Sequence, residues 1–309
     1  MENKRARLSP IRLTLLVLAL ALIGAAWWQV LAASSGLEVR HVDQDGVPLR
    51  FIVADGVEAA PGVVIAHGFS GSQQLMLTFG YTLAHAGYAV ILLDFDGHGA
   101  NATPFAQDAP VLAQDLAVAA AVLRSQPEVD PSRIALLGHS MGSRAVLEAG
   151  FNHGDLYRAT IAISPGDVTV NETLPRNLLL MAGSLETPFL ENARLVLARA
   201  GGPNSDFSQD RARALVVVPF AEHISILFRW LSHSTALNWL NEVFGVQRAS
   251  DYRDTRIVWY GGHLAGWLLA LLAVAPLLPS SSGARDRSGS RKRPWHTLGL
   301  VAGVVVGTA

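Results

Sequence analysis

The sequence predicts an α/β protein with a mainly parallel sheet covered by helices on both faces, carried between transmembrane helices. Three observations predict it. Short continuous apolar runs of strand length alternate with amphipathic stretches of helical length, the pattern of parallel strands buried on both faces. One such run, residues 134–137, stops in Gly138-His-Ser140-Met-Gly142 and is followed by Ala and Leu at helical spacing. Two longer stretches carry no charge over a length that crosses a bilayer.

The two long stretches divide the chain. Of 309 residues, 50% are hydrophobic and only 16% are charged, a composition that suits part of the chain to lipid. Residues 13–33 are uncharged and end with Trp27 and Trp28 in the closing turns, and residues 257–279 open with Trp259 and Tyr260. Each spans a hydrocarbon core of roughly 30 Å as a helix. Residues 297–309 form a shorter apolar run, the expected start of a further transmembrane helix in a longer, polytopic protein. Lys4, Arg5, Arg7 and Arg12 precede the first span, and Arg285, Arg287, Arg291, Lys292 and Arg293 follow the second, which puts both flanks in the cytoplasm. Segment 34–256 has 23 Asp and Glu against 15 Arg and no Lys, a net of −8, and is expected on the opposite side.

The organisation expected is therefore a membrane anchor at 1–33, a domain at 34–256, a transmembrane helix at 257–279, a basic cytoplasmic loop at 280–296 and a further span from 297. That is a multi-pass protein of the plasma (inner) membrane with its domain facing the extracytoplasmic side. The basic start, apolar run and small residues near Ala32 and Ala33 also fit a cleaved signal peptide, and either reading exports the domain. With no cysteine, the domain has no disulfide and depends on its own core, which a domain of this size supplies. The basic stretch 280–293 reads as a cytoplasmic connector; a nucleic-acid partner is not expected.

Within the domain the elements follow in order. Residues 37–43 alternate apolar with polar, Asp45-Gly46 supplies a turn and residues 49–53 resume, a hairpin leading into the sheet. Pro61-Gly62 leads into 63–66, a buried strand, and 73–86 reads as helix. Strand 88–93, helix 108–125, breaks at Pro127 and Pro131, and strand 133–137 bring the chain to Ser140. The helix after Ser140 ends near Gly150, strands follow at 159–163, 177–181 and 214–218 with a helix near 188–200, and a final helix covers 224–244. In such a sheet the active groups gather at the carboxyl ends of the strands.

Gly-x-Ser-x-Gly between a strand and a helix forces a sharp, strained turn, and the residues two before and two after the serine must lack a β-carbon. With His67-Gly68-Phe69, Asp94-Phe-Asp-Gly-His-Gly99, Gly183-Ser-Leu-Glu186 and Pro219-Phe-Ala-Glu-His223 in the expected order over residues 60–245, the chain resembles the α/β-hydrolase family. The resemblance implies an α/β-hydrolase fold and a serine hydrolase of carboxylic ester or related acyl bonds, acting through an acyl-enzyme intermediate with no metal or organic cofactor. It implies Ser140 as nucleophile, His223 as general base, and Glu186 as the acid that orients the imidazole, where the family more often carries aspartate. Asp167 is the alternative acid. The oxyanion hole falls to the backbone N–H groups of Phe69 and Met141, with Gly68 and Gly71 allowing close approach. A nucleophilic serine in place of aspartate argues against epoxide or dehalogenase chemistry.

The remaining histidines and carboxylates have plainer readings. His139 occupies a variable position of the Gly-x-Ser-x-Gly turn (the elbow), His67 and His98 sit in turns, His233 lies three helical turns beyond His223, and Glu222 adjoins His223 without facing it. A metal site from Asp94, Asp96 and His98 is disfavoured because ligands so close on one turn seldom complete a site. Phe69, Leu75, Met76 and Phe79 are candidates for an acyl pocket, though their spacing favours a place in the core. Only 13 residues, 164–176, are available where many relatives insert a lid, so an open site is expected, with a small-molecule or lipid-like acyl substrate near the membrane. An acyl ester, a lipid or a short peptide all suit it, so the hydrolase is expected to be esterase- or lipase-like, with peptidase activity as an alternative. The alternative from another class is a non-catalytic, membrane-anchored binding or scaffold module with a hydrolase-like fold. In the second span, Gly262 and Gly266 form Gly-x-x-x-Gly, a helix-contact motif, with His263 near its outer end.

Overall fold

The structure, a computed structural model, describes residues 9–105 and 109–277. The basic residues Lys4, Arg5 and Arg7, the loop 280–296 and the run 297–309 lie outside the described residues. Two compact units divide the chain, Val30–Ile257 and the segments before and after it.

In the first unit, β1 (Leu37–Gln44) and β2 (Val47–Ala54) form the expected hairpin. Asp45 and Gly46 both take positive φ, 55° and 81°, the two-residue turn that Asp-Gly favours. β3 (Ala60–Ala66), β4 (Ala89–Leu93), β5 (Val129–His139), β6 (Ala159–Ile163), β7 (Leu178–Gly183) and β8 (Arg213–Val218) complete one sheet in the order β1-β2-β4-β3-β5-β6-β7-β8. Among the strand pairings of the described residues, β1–β2 and β2–β4 are antiparallel and the other five parallel, and Asn204 adds an isolated antiparallel bridge to Arg213.

The continuous apolar runs divide by parity, because successive side chains on a strand point to opposite faces. Val63, Ile65, Val90, Leu92, Ala135 and Leu137 join a cluster with α2 (Gln73–His85) and α6 (Trp230–Phe244). Val64, Ala66, Ile91, Leu93, Ile134 and Leu136 join another with α3 (Ala109–Arg124) and α4 (Met141–Asn152). On the same side as α3 and α4, α5 (Thr187–Arg199) packs Ala193 and Val196 onto Leu178, Leu180 and Ala182. Burying a leucine or isoleucine in this way contributes about 1.5–3 kcal/mol.

The structure differs from the sequence reading at several boundaries. β5 begins at Val129 rather than 133; Ala60 and Pro61 pair with Val129 and Asp130, and the register then shifts so that Gly62 pairs with Ile134. Pro131 is therefore absorbed in an irregularity within the strand. The expected helix 224–244 is split into a 3-10 turn, Ser225–Phe228, and α6, with Arg229 extended between them. The carbonyl of Leu227, which an unbroken helix would present to residue 231, instead accepts the Thr78 hydroxyl at 3.0 Å and meets Nε2 of His233 at 2.7 Å. The connection 164–177 folds back over the core with Val168 and Val170 buried and carries no lid helix.

Both ends of this unit meet at one side chain. His85, the last residue of α2, holds the carbonyl of Ala33 at 2.8 Å through Nε2, and its ring stacks on Tyr252 at 4.1 Å.

The second unit contains most of α1 (Pro10–Ala32) and α7 (Arg256–Val274). Both helices are long and apolar enough to cross a membrane, with mean hydropathies of 2.2 and 1.7. α1 starts at Pro10, earlier than expected, since proline suits a first helical position. α7 ends at Val274 in a 3-10 turn, Ala275–Leu277, that contains Pro276. Of the Gly-x-x-x-Gly pair, Gly266 is the close contact: a β-carbon there would lie 2.7 Å from Cγ1 of Ile23 and 3.1 Å from the Ala19 carbonyl. His263 packs edge-on against Trp27 and accepts the Trp267 indole N–H at 3.0 Å.

Candidate active site

β5 ends at His139 and α4 begins at Met141, so Ser140 alone makes the turn, with φ 54° and ψ −115°. Glycine, with no β-carbon, takes such angles readily, whereas a serine there stores about 1–3 kcal/mol of strain that the surroundings must hold. They do so by close packing. A β-carbon on Gly142 would lie 2.5 Å from the His67 carbonyl oxygen and 2.6 Å from that of Ala66, and one on Gly138 would lie 2.5 Å from the carbonyl carbon of Gly142. The Ser140 N–H donates to Ile163 on the neighbouring strand at 2.9 Å, and its carbonyl accepts the Ser143 hydroxyl at 2.6 Å.

The loop after β8 delivers His223, whose Nε2 lies 3.0 Å from the Ser140 Oγ and whose Nδ1 lies 2.9 Å from Oε2 of Glu186. Glu186 caps α5 from the loop after β7 and is 5% exposed. Its Oε1 accepts the Gly183 N–H at 2.5 Å and the Ser164 hydroxyl at 2.7 Å, so both carboxyl oxygens are committed. An acceptor on Nδ1 leaves Nε2 unprotonated and directed at the serine. Three side chains 37 to 83 residues apart in sequence thus form one hydrogen-bonded relay at the carboxyl edge of the sheet.

The loop bearing Phe69 passes directly over the elbow: a β-carbon on Gly68 would lie 2.9 Å from Nδ1 of His139 and 3.0 Å from Cβ of Ser140. Gly71 N–H closes the turn onto the Gly68 carbonyl at 3.0 Å. Met141 is the first residue of α4, where the N–H has no intrahelical acceptor and the helix dipole favours negative charge. His67 braces the loop, with Nδ1 2.7 Å from the Gly68 carbonyl and Nε2 accepting the Phe95 N–H at 3.1 Å; burial lowers its pKa and keeps it neutral.

The other candidates are engaged elsewhere. Asp167 is exposed and pairs with Arg199, not with His223. Glu222 accepts the N–H groups of Ile224 and Ser225 and so caps the 3-10 turn. The Asp94 carboxylate takes both donors of Gln73 and the Ala100 N–H, tying the start of α2 to the end of β4. Asp96 accepts Asn101, and the backbone carbonyl of Asp96 meets Nδ1 of His98 at 2.8 Å. His233 is buried edge-on against Phe79. Met76 and Phe79 are in the core and Leu75 is packed against it, whereas Phe69 is 61% exposed.

Sequence reasoning missed four contributors. Ser164 holds Glu186, and at φ 50° it ends β6 in a turn that no local motif announces. Phe189 stacks on the His223 ring. Leu185 and Phe220, exposed at 63% and 78%, stand on the two loops that carry Glu186 and His223. Those two loops are joined by the Leu185 N–H to the Ala221 carbonyl and the Phe220 N–H to the Ser184 hydroxyl. A cavity of about 560 Å³ lined by His41, Asp43, Gln73 and Asp94 contains none of Ser140, His223 or Glu186.

Residues 58–233 match the family model described as serine aminopeptidase, S33. An uncharacterized protein of Mycobacterium tuberculosis (strain CDC 1551 / Oshkosh) is 27% identical over 215 residues, 64% of this chain and 72% of its own length. Epoxide hydrolase A of Mycobacterium tuberculosis (strain ATCC 25618 / H37Rv) is 30% identical over 57% of this chain and 52% of its own. Among solved structures, a bacterial membrane phospholipase A described as a virulence factor aligns with a TM-score of 0.54 at 15% identity, over 74% of this chain and 93% of its own. The esterase Est22 with p-nitrophenol aligns at 0.53 and 18%, over 79% and 94%. At such identities the structural likenesses speak for the fold alone.

Proposed function

The chain belongs to the serine aminopeptidase S33 family of α/β hydrolases, and on that premise we propose that it is a serine hydrolase of carboxylic esters or related acyl bonds. The observation that carries this reading is the relay from Ser140 through His223 to Glu186, at 3.0 and 2.9 Å. His223 takes the Ser140 proton as Oγ bonds to the acyl carbon, and Glu186 stabilises the imidazolium. The N–H groups of Phe69 and Met141 receive the oxyanion, each such donor being worth about 3 kcal/mol in the transition state. His223 then gives its proton to the departing alcohol or amine, leaving an acyl-Ser140 that water, activated by the same imidazole, hydrolyses.

An amphiphilic, acyl-chain substrate suits the mouth of the site. Phe69, Leu185, Phe220 and Ile224 are large, apolar and exposed on three different loops around Ser140 and His223, and exposed apolar groups so clustered mark a ligand or lipid surface. Serine at the elbow favours acyl transfer over the chemistry named for the epoxide hydrolase relative. With α1 and α7 as membrane spans, segment 34–256 faces the extracytoplasmic side of the inner membrane, as its net charge of −8 and the basic flanks at Lys4–Arg12 and Arg285–Arg293 support.

The test uses the full chain in detergent. A fluorophosphonate probe labels it stoichiometrically, and Ser140→Ala abolishes labelling. Absence of labelling in the parent protein overturns the enzymatic reading in favour of a non-catalytic module. A p-nitrophenyl ester series from short to long chains, below and above the micellar threshold, then measures the acyl preference.

A further inference from the structure

The ring of His223 is held by more than its two hydrogen bonds. Phe189, one turn into α5 after Glu186, stacks on it with centroids 4.2 Å apart and planes 19° apart. His139, at the end of β5, lies against it from a second side at 4.7 Å and 43°. The Nε2 of His139 is 2.8 Å from the backbone carbonyl of His223 and donates to it, so the elbow strand fastens the main chain that carries the base. The Nδ1 of His139 is buried without a partner, which only the neutral ring tolerates. Burial first, and His223 second, push the His139 pKa down to about 4, so the ring is neutral near pH 7. The other ionisable groups around His223 are Glu186, held by Gly183 and Ser164, and Glu222, whose carboxylate is turned to the N–H groups of Ile224 and Ser225.

Resting on the reading of Ser140 as nucleophile and His223 as base, we propose that Phe189 and His139 are positioning residues for that base. His139 fixes where the His223 backbone sits, and Phe189 fixes the plane of its ring. When His223 Nε2 takes the proton from the Ser140 hydroxyl and the ring becomes cationic, the π face of Phe189 also attracts the charge. Neither residue gains or loses a proton in the cycle. Their effect falls on the chemical step, since both touch the imidazole that moves the proton.

Steady-state hydrolysis of p-nitrophenyl butyrate by the full chain in detergent, with the melting temperature of each variant, tests this. Phe189→Leu keeps an apolar side chain and removes the π face, and is expected to lower kcat about three- to thirtyfold with KM within twofold. Phe189→Tyr restores most of the loss. His139→Leu lowers kcat without changing KM, and His139→Gln, which keeps a donor for the His223 carbonyl, recovers part of it. Unchanged kcat in folded Phe189→Leu, equal loss in Phe189→Tyr and Phe189→Leu, or a loss confined to KM overturns the proposal. Turnover that survives Ser140→Ala overturns the underlying reading instead, and the two failures are thereby distinguished.

Discussion

Replacing Glu186 by glutamine separates chemistry from stability at one position. Oε1 of Glu186 is fixed as an acceptor by two donors, the Gly183 N–H and the Ser164 hydroxyl. An amide at 186 therefore keeps its oxygen there and turns its NH2 toward Nδ1 of His223, where Oε2 now sits at 2.9 Å. Nδ1 must then accept, which moves the imidazole proton to Nε2, the atom 3.0 Å from Ser140. A protonated Nε2 has no lone pair for the serine proton. The expected result is a fall in kcat of about 10³–10⁴-fold, or roughly 4–5.5 kcal/mol of activation free energy. Stability changes little, by about 1 kcal/mol, because both buried donors keep their acceptor. Glu186→Ala by contrast orphans them, at about 1–3 kcal/mol each, and lowers the melting temperature visibly. The assays are p-nitrophenyl ester turnover and thermal unfolding followed by circular dichroism. A glutamine variant with kcat within tenfold of the parent refutes the tautomer argument, and one that melts with the alanine variant refutes the assigned amide orientation.

Three further outcomes follow from the geometry. Gly142→Ala drives a methyl into the carbonyls of His67 and Ala66, backbone atoms that cannot rotate away; a loss of about 3 kcal/mol, or roughly 6–12 °C in melting temperature, is expected, and an unchanged melting temperature contradicts it. Asp115 is buried and holds the Asp96 N–H, and burial first, with the Asp96 carboxylate adding to it, raises its pKa from 3.8 to about 6. Folding therefore favours the protonated acid, so this contribution is full below about pH 4 and is lost as pH rises through 6. Asp115→Asn should melt like the parent at pH 4 and gain on the order of 2 kcal/mol over it by pH 7–8, and parallel pH profiles of melting temperature count against this. Leu185→Ser combined with Phe220→Ser is expected to reduce turnover of micellar long-chain esters several-fold while leaving short soluble esters within twofold; equal losses on both remove the apolar rim from substrate capture.

How much of this was legible in the sequence depends on whether a feature is local. The elbow was, because Gly138 and Gly142 are demanded by atoms within a few residues of Ser140 or one strand away. The strands were, because parallel strands buried on both faces leave continuous apolar runs such as 63–66 and 89–93. Glu186 and His223 were read from the family resemblance at their places after late strands, and the structure brings His223 beside Ser140 and Glu186 beside His223. What escaped was set by distant partners. The break at Arg229 arises because Thr78, 149 residues away, takes the Leu227 carbonyl. The start of β5 is set by its pairing with Ala60 and Pro61, across a register shift that hides Pro131. Phe189 looked like any aromatic on a helix, since nothing near it in sequence announces the ring it covers.

The meeting of Ala33 and Tyr252 on His85 bears on how such a chain arises. An assembly whose entrance and exit share one doorway can be spliced into a host polypeptide without stretching it, so the eight-stranded sheet is topologically a cassette between α1 and α7. Sewing those ends together and opening new ones at the surface turn Gly201-Gly202 would cut within no strand, because neither glycine takes part in a strand pairing, although β7 and β8 on either side of the turn would then pair from opposite ends of the chain. Fusion and excision are then gene-level edits that the fold is already built to absorb.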